Sequence, residues 1–194
     1  PVFDRYLQLN NISGLFYLTL GVIYRRRMIP QVIDSFVRLK KAGHISDELQ
    51  LVVVGKNLIR PAVNLKKIVD DAYKYGVRYI EFIPEEFLKQ IFKKANAYIC
   101  ISEVDGEAIL VKEATALNTP VITTQMLGAG LNCNAEMIET PVTVKTISQA
   151  ILNFKSLNQL EIRQRTQNAR THIEEINVPY EYKSLVLKII NQEH

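Results

Sequence analysis

Two acids and a glycine surround the start of a predicted helix near the middle of the chain. Asp105 and Gly106 precede this helix, and Glu113 lies eight residues after Asp105. Because an α-helix rises about 1.5 Å per residue, the two carboxylates are spaced by about 12 Å along it. The first N–H groups of a helix have no partner within it, so the helix start also favours anions. This spacing predicts a site for an elongated, doubly charged ligand lying along the helix.

A second candidate group is the basic run Arg25–Arg27, the only dense cluster of positive charge in the sequence. The net charge of +4 is mild, and it favours anionic partners such as phosphates or a lipid headgroup surface. Aromatic residues do not interleave with the run in the way that stacking on bases requires, so nucleic acid is not predicted as a partner. A solvated loop is the alternative interpretation of the three arginines.

The composition is that of a globular protein with a core of its own. The chain has 194 residues, of which 47% are hydrophobic and 23% are charged, and a domain of this size needs neither disulfides nor metal for stability. The two cysteines, Cys100 and Cys133, lack metal-site spacing, and Cys100 lies in an apolar run that indicates a core position. Without a signal-peptide pattern or an apolar run of about 20 residues, we expect a reducing, cytoplasmic location.

Short apolar runs alternate with longer amphipathic segments, which is typical of an α/β fold. Strands are predicted at Phe16–Leu20, Leu49–Val54, Val77–Phe82, Ala97–Ile101 and Thr119–Thr124, with a short further candidate at Pro141–Val144. Helices are predicted over 29–42, 64–75, 84–95, a stretch ending near 117, and most of the chain from 147 onward. The strands are continuous apolar runs, as in parallel sheets covered on both faces. We therefore predict a Rossmann-like, doubly wound parallel sheet with helices on both faces.

Ligands of doubly wound sheets bind at the carboxyl ends of the strands. Four predicted loops lie at those ends, over residues 21–28, 55–58, 83–84 and 102–106. The first of these loops contains the arginine run, and the last contains Asp105 and Gly106. The sequence therefore predicts that both candidate groups lie at the same edge of the sheet.

The segments 105–114 and 118–122 resemble a motif of the GT-B fold glycosyltransferases, in particular the retaining enzymes of family 4. That family carries an acid-Gly-x-Gly-x-Pro-x-x-Glu-Ala run and then Gly-x-Pro-Val-Ile. The preceding helix and strand also fit, through Leu88, Phe92, Ala95, Asn96, Ala97 and Ser102. The resemblance extends from about residue 16 to about residue 190. It implies the C-terminal, nucleotide-sugar-binding half of a GT-B fold.

The resemblance also implies a role for each candidate residue. Glu113 would accept hydrogen bonds from ribose hydroxyls, which a carboxylate does well, and Asp105 would lie near the donor sugar and its anomeric centre. Arg27, six residues after Gly21, would neutralise the departing diphosphate. Asp105, Glu113 and Arg27 are thus the predicted catalytic residues. The predicted donor-binding residues are Gly21, Arg25, Arg26, Lys56, Ile83, Gly106, Ala108, Ile109, Leu110 and Val111. A solvated or helix-capping role is the alternative for the two acids.

Several positions depart from the family pattern. Val22 stands where the family has an arginine, so Arg25 or Arg26 would have to compensate. Asp105 replaces a glutamate, and Glu107 adds a carboxylate near the expected diphosphate at an electrostatic cost. The other replacements are Ala108 for glycine, Leu110 for proline and Asn118 for glycine. These departures motivate two alternatives, which are a non-catalytic glycosyltransferase-like binding or assembly module and, as a weaker alternative, a nucleotide-sugar epimerase.

The sequence-based hypothesis is the donor-binding domain of a retaining glycosyltransferase. It would move a hexose-type sugar from a nucleotide sugar to a hydroxyl acceptor, in polysaccharide or glycoconjugate biosynthesis, without cofactor or metal. We expect a linker or edge segment over residues 1–13, the donor-binding domain over 14–176 and a helical tail over 177–194. We also expect an upstream acceptor domain, so that this chain alone binds donor without turnover. The full protein is expected in the cytoplasm, with peripheral association at the inner face of a membrane.

Overall fold

The structure is a computed structural model that describes residues 2–59, 64–102, 109–124, 136–138 and 141–175. The strands are β1 (Phe16–Leu20), β2 (Gln50–Val54), β3 (Val77–Ile80), β4 (Ala97–Cys100), β5 (Val121–Thr124) and β6 (Glu136–Ile138). The helices are α1 (Val2–Leu9), α2 (Ile29–Lys41), α3 (Leu65–Ala72), α4 (Glu85–Lys94), α5 (Ile109–Ala116), α6 (Val144–Ser156) and α7 (Gln159–Glu175). Two short 3₁₀ helices lie at Arg25–Arg27 and Tyr73–Tyr75.

The six strands form one sheet in the order β3-β2-β1-β4-β5-β6, and all five neighbouring pairs are parallel. The strand order reverses between β1 and β4, because the chain builds β1 to β3 outward and then returns to the centre. In open parallel sheets, the crevice beyond this reversal is where ligands bind. The predicted Rossmann-like, doubly wound α/β fold is therefore confirmed, with its switch point between β1 and β4.

Alternating side chains of each strand point to two separate cores. In β4, Tyr98 and Cys100 belong to the core that is covered by α1, α4, α5 and α7. Ala97 and Ile99, on the other face of the strand, belong to the core that is covered by α2, α3 and α6. Side chains of parallel strands alternate between faces, so nearly every strand position is apolar when both faces are covered. This explains why the strands appear in the sequence as unbroken apolar runs.

Two predicted elements differ from the structure. Pro141–Val144 is not a strand, because Thr143 caps α6 and Val144 is its first residue. The Thr143 hydroxyl accepts from the Thr146 N–H at 3.2 Å, and the Thr146 hydroxyl accepts from the Thr143 N–H at 2.9 Å. This capping box outweighs the apolar pattern of the segment. The sixth strand lies instead at Glu136–Ile138.

Within the predicted linker or edge segment over 1–13, residues 2–9 form helix α1 and not a strand. Phe3 and Leu7 of this helix are buried, and the Phe3 and Phe87 rings lie 5.4 Å apart. The helix therefore covers α4 on one face of the sheet. The predicted tail over 177–194 lies outside the described residues. No helix in the described part of the chain combines the length and hydropathy needed to cross a bilayer.

Asn96 joins the amino ends of β1 and β4, the two central strands. Its side-chain Oδ1 accepts from the backbone N–H of Phe16 at 2.9 Å, and its backbone N–H donates to the Phe16 carbonyl at 2.9 Å. We expect Asn96→Ala to lower the free energy of unfolding by about 1 kcal/mol, because the side-chain bond is lost. Denaturant unfolding measures this, and Asn96→Asp, which keeps the acceptor oxygen, should stay close to wild type. Asn153→Ala removes a hydrogen bond from Gln149 within α6 that joins no strands, and it should change stability by less than about 0.5 kcal/mol. Equal losses for Asn96→Ala and Asn153→Ala would contradict the prediction.

Candidate functional site

Two glycines lie in direct backbone contact at the carboxyl ends of β1 and β2. Gly21 has a φ of +125° and Gly55 a φ of +142°, values that side-chain-bearing residues rarely adopt. A Cβ on Gly55 would lie 2.0 Å from the Gly21 carbonyl oxygen, so no other residue fits at position 55 without moving the backbone. The two loops continue side by side, since the Ile23 N–H donates to the Lys56 carbonyl at 2.9 Å. The glycines thus hold the loop that carries the arginines against the sheet.

Arg27 reaches from this loop toward Leu110, in the first turn of α5. A Cβ built on Gly21 would lie 3.1 Å from Leu110 Cδ1 and 4.0 Å from Arg27 Nη2. Gly21, Arg27 and Leu110 therefore meet at one place, although they come from distant parts of the sequence. A guanidinium beside the first turn of a helix adds a full positive charge to backbone N–H groups that favour anions.

Arg27 also contacts the end of β4. Its Nη1 donates to the Cys100 Sγ at 3.1 Å, and Cys100 is only 2% exposed. The Arg27 side chain is itself half-buried. The guanidinium therefore lies between the β1 loop, the β4 end and α5, directly over the switch point of the sheet.

Tyr98, on β4, is hydrogen-bonded to the end of β1 beneath this contact. Its side chain is fully buried, and its hydroxyl donates to the Leu20 carbonyl at 3.0 Å, one residue before Gly21. Burial first, and then Cys100, raise the pKa of this hydroxyl well above its usual value. The charge of Arg27 lowers that pKa and the charge of Glu113 raises it. Arg27, Cys100 and Glu113 are therefore all within electrostatic reach of the Tyr98 hydroxyl.

Glu113 lies on the second turn of α5 and is half-buried. Burial raises the pKa of its carboxyl group above the usual value, because removing water disfavours the charged form. A carboxylate that is partly removed from water gains from hydrogen-bond donors on a ligand. Two adjacent hydroxyls would supply such donors, since an ionised carboxylate only accepts.

The other predicted donor-binding residues are placed in three ways. Arg25, Arg26 and Lys56 are exposed, and the Arg26 guanidinium lies 5.4 Å from the centre of the Tyr24 ring. Ile83 and Val111 are 7% and 0% exposed, so neither side chain is open to a ligand. Ile109 is exposed and Leu110 is half-buried beside Gly21. The predicted residues Asp105, Gly106 and Ala108, and the departure Glu107, lie outside the described residues.

The arrangement suits an elongated anion with a polar end. The Arg27 guanidinium and the start of α5 attract the negative charge, and Glu113 lies one turn further along the helix. Within the described residues, no group of three or more His, Cys, Asp or Glu side chains is placed to hold a metal ion. At this edge of the sheet, positive charge is carried by Arg27 and by the exposed Arg25, Arg26 and Lys56.

Sequence reasoning missed Tyr98 and Cys100. Cys100 was interpreted as a core residue, and it is buried, but its sulfur also contacts Arg27. One signal in the sequence could have found them. Tyr98 and Cys100 are two residues apart on β4 and therefore share a face, and they directly precede the motif. A polar side chain at the carboxyl end of a central parallel strand lies at the site, even where its neighbours are apolar.

Comparisons with known proteins agree with this geometry. The family model described as glycosyl transferases group 1 matches residues 9–172. A Bacillus subtilis (strain 168) protein described as "Putative glycosyltransferase YtcC" is 26% identical over 165 residues. That match covers 77% of this chain and 35% of the Bacillus protein.

Solved structures share the fold at low sequence identity. WaaG, a glycosyltransferase involved in lipopolysaccharide biosynthesis, has a TM-score of 0.70 at 18% identity, covering 96% of this chain and 50% of WaaG. A structure described as "Trehalose-6-phosphate from E. coli bound with UDP-2-fluoro glucose" has a TM-score of 0.76 at 14% identity, covering 100% of this chain and 47% of that one. A UDP-forming α,α-trehalose-phosphate synthase from Burkholderia vietnamiensis gives 0.73 at 12%, with coverages of 97% and 47%. The chain thus spans about half the length of these structures.

Proposed function

The chain belongs to the glycosyl transferases group 1 family, and on that premise we propose that it binds the nucleoside diphosphate sugar donor of a glycosyl transfer reaction. The observation that carries the proposal is the meeting of Gly21, Arg27 and Leu110 at the switch point of the sheet. A diphosphate would lie between the Arg27 guanidinium and the start of α5. The ribose would lie further along the helix, with its hydroxyls donating to Glu113.

Arg27 would act by stabilising the leaving group. In the reaction, the bond between the anomeric carbon and the diphosphate oxygen breaks, and a bond to the acceptor hydroxyl oxygen forms as the proton of that hydroxyl passes to the departing diphosphate. Negative charge builds up on the departing diphosphate, and a guanidinium beside a helix start stabilises it without a metal. On the resemblance of the 105–122 motif, we further propose that the reaction retains the configuration at the anomeric carbon. The same resemblance favours a hexose-type sugar and likeness to the family 4 enzymes. Asp105 would lie near the anomeric centre.

The length of the relatives supports a division of labour. Because this chain matches about half of each solved structure and 35% of the Bacillus protein, we propose that it is the C-terminal, donor-binding half of a longer enzyme. The acceptor site would belong to an upstream domain, and this chain alone would bind donor without turnover. Polysaccharide or glycoconjugate biosynthesis, a cytoplasmic location and peripheral contact with a membrane surface remain parts of the same proposal.

A non-catalytic binding module is the second candidate, and one observation favours it. Val22 is 40% exposed at the loop position where the family pattern has an arginine. The neighbouring Arg25 and Arg26 are exposed rather than directed into the contact of Gly21 with Arg27 and Leu110. A site with one basic side chain fewer would bind a diphosphate and stabilise its departure less. An epimerase stays the weaker alternative and requires no acceptor.

Calorimetric titration with UDP, GDP and ADP tests the proposal directly. We expect one of these nucleotides to bind with a dissociation constant between about 1 μM and 1 mM, the usual range for enzyme substrates. The matching nucleoside, which lacks the diphosphate, should bind more weakly. If none of the three diphosphates binds, the proposed function is wrong. Incubation of the protein with the nucleotide sugar of the diphosphate that binds then tests the epimerase alternative, because only an epimerase interconverts the sugar without acceptor.

A further inference from the structure

We propose that Cys100 is a positioning residue that orients the Arg27 guanidinium toward the diphosphate. The proposal rests on the proposed function, because it assigns a task to Arg27. The observation behind it is the 3.1 Å contact between Arg27 Nη1 and the Cys100 Sγ, at the end of β4. The two residues are 73 positions apart in the sequence, so the contact depends on the fold.

The sulfur is held by the sheet and not by a loop. The Cys100 carbonyl accepts from the Thr123 hydroxyl at 2.7 Å, which ties the end of β4 to β5. Tyr98, two residues earlier on the same face, is tied to the Leu20 carbonyl at 3.0 Å. Side chains at strand ends hold their position better than side chains on loops, which is what a precise binding site requires. Cys100 thus gives a fixed point to an arginine that arises from a 3₁₀ turn.

The chemistry of a thiol fits this task. An arginine has five N–H donors in a fixed plane, so an acceptor on one of them sets the direction of the others. A carboxylate in place of Cys100 would pair with the guanidinium and compete with the diphosphate. An aliphatic side chain would offer no acceptor at all. A thiol sulfur accepts weakly, so it can orient the guanidinium without the strong pairing that a carboxylate would form.

The test compares Cys100→Val with Cys100→Ser in titrations with inorganic pyrophosphate and with the tightest-binding nucleoside diphosphate. Cys100→Val fills the space without an acceptor, and we expect it to weaken both ligands by about 3- to 10-fold, as for one ordinary hydrogen bond. Cys100→Ser keeps an acceptor and should recover affinity to within about twofold of wild type. Binding of the nucleoside without phosphates should not change. Ile99→Val, a change of one methyl group on the opposite face of β4, serves as the packing control.

A mutant cycle with Arg27→Ala separates positioning from a structural role. If Cys100 acts through Arg27, adding Cys100→Val to Arg27→Ala causes no further loss of pyrophosphate affinity. An equal loss in both backgrounds, or an equal loss of nucleoside binding, overturns this inference and leaves the proposed function standing. Absence of diphosphate binding by the wild-type protein overturns both. If Cys100→Val does not fold, Cys100→Ala is measured in the same mutant cycle, and its results are interpreted in the same way.

Discussion

Replacing Arg27 with alanine should weaken the binding of a nucleoside diphosphate by about 10- to 150-fold. A charged hydrogen bond contributes about 1.5–3 kcal/mol, and each 1.4 kcal/mol is a factor of ten in affinity. Arg27 is the arginine that reaches the contact point of Gly21 and Leu110, and its guanidinium is half-buried, where screening by water is reduced. Titration calorimetry with the diphosphate and with the matching nucleoside measures the effect. The nucleoside should bind Arg27→Ala and wild type equally.

The same 3₁₀ turn offers matched controls for this prediction. Arg25→Ala and Arg26→Ala remove the same charge from neighbouring positions, but both side chains are exposed. We expect each to weaken binding by less than about threefold, because exposed charges act through screened, long-range attraction. Raising the salt concentration should abolish the effect of the two controls and reduce that of Arg27→Ala only in part. Equal losses for all three variants would mean that the arginines act as a diffuse charge and not as a site.

Replacing Glu113 with alanine should weaken the binding of a nucleoside diphosphate by about 10- to 100-fold, while the binding of inorganic pyrophosphate should not change. The difference arises because pyrophosphate has no ribose hydroxyls to donate to the carboxylate, whose hydrogen bonds are each worth about 1.5–3 kcal/mol. Glu113→Gln keeps one acceptor oxygen, so its affinity for the nucleoside diphosphate should lie between those of wild type and Glu113→Ala. Titration of each variant with both ligands measures this selectivity. Equal losses for pyrophosphate and for the nucleotide would contradict a role at the ribose.

The pH dependence of Glu113 provides a separate check. Burial raises the pKa of this carboxyl group above its usual 4.5, so the folded protein holds its proton more tightly than the unfolded chain. The stability that this proton provides is complete below pH 4.5 and is lost as the pH rises through the raised value. Donor affinity should change in the opposite direction, because the ionised form accepts from the hydroxyls. Glu113→Gln should remove both slopes, whereas the exposed Glu85→Gln should retain them.

The pattern of apolar residues was sufficient to predict five of the six described strands. Largely apolar runs predicted β1 to β5, because a strand covered on both faces excludes polar side chains at most positions, and the edge strand β3 is the one that carries a charged residue, Arg78. The same reasoning failed for β6. Glu136–Ile138 is too short to form a recognisable run, and Pro141–Val144 has a strand-like pattern but contains the cap of α6. Local hydrogen bonds of Thr143 determine that this segment begins a helix, and such bonds are not visible in an apolar pattern.

The site divides in the same way between sequence and fold. The sequence by itself determined the types of residue that the strand ends carry, namely the glycines at 21 and 55, the arginine run and the acid at 113. Only the tertiary structure decided which of them meet: it placed Arg27, which the family resemblance had already singled out, beside Gly21 and gave it Cys100 as a partner. It also brought Gly21 against Leu110. The physical reason is that parallel pairing of β1 with β4 joins loops far apart in the chain, and residue types alone do not encode that pairing.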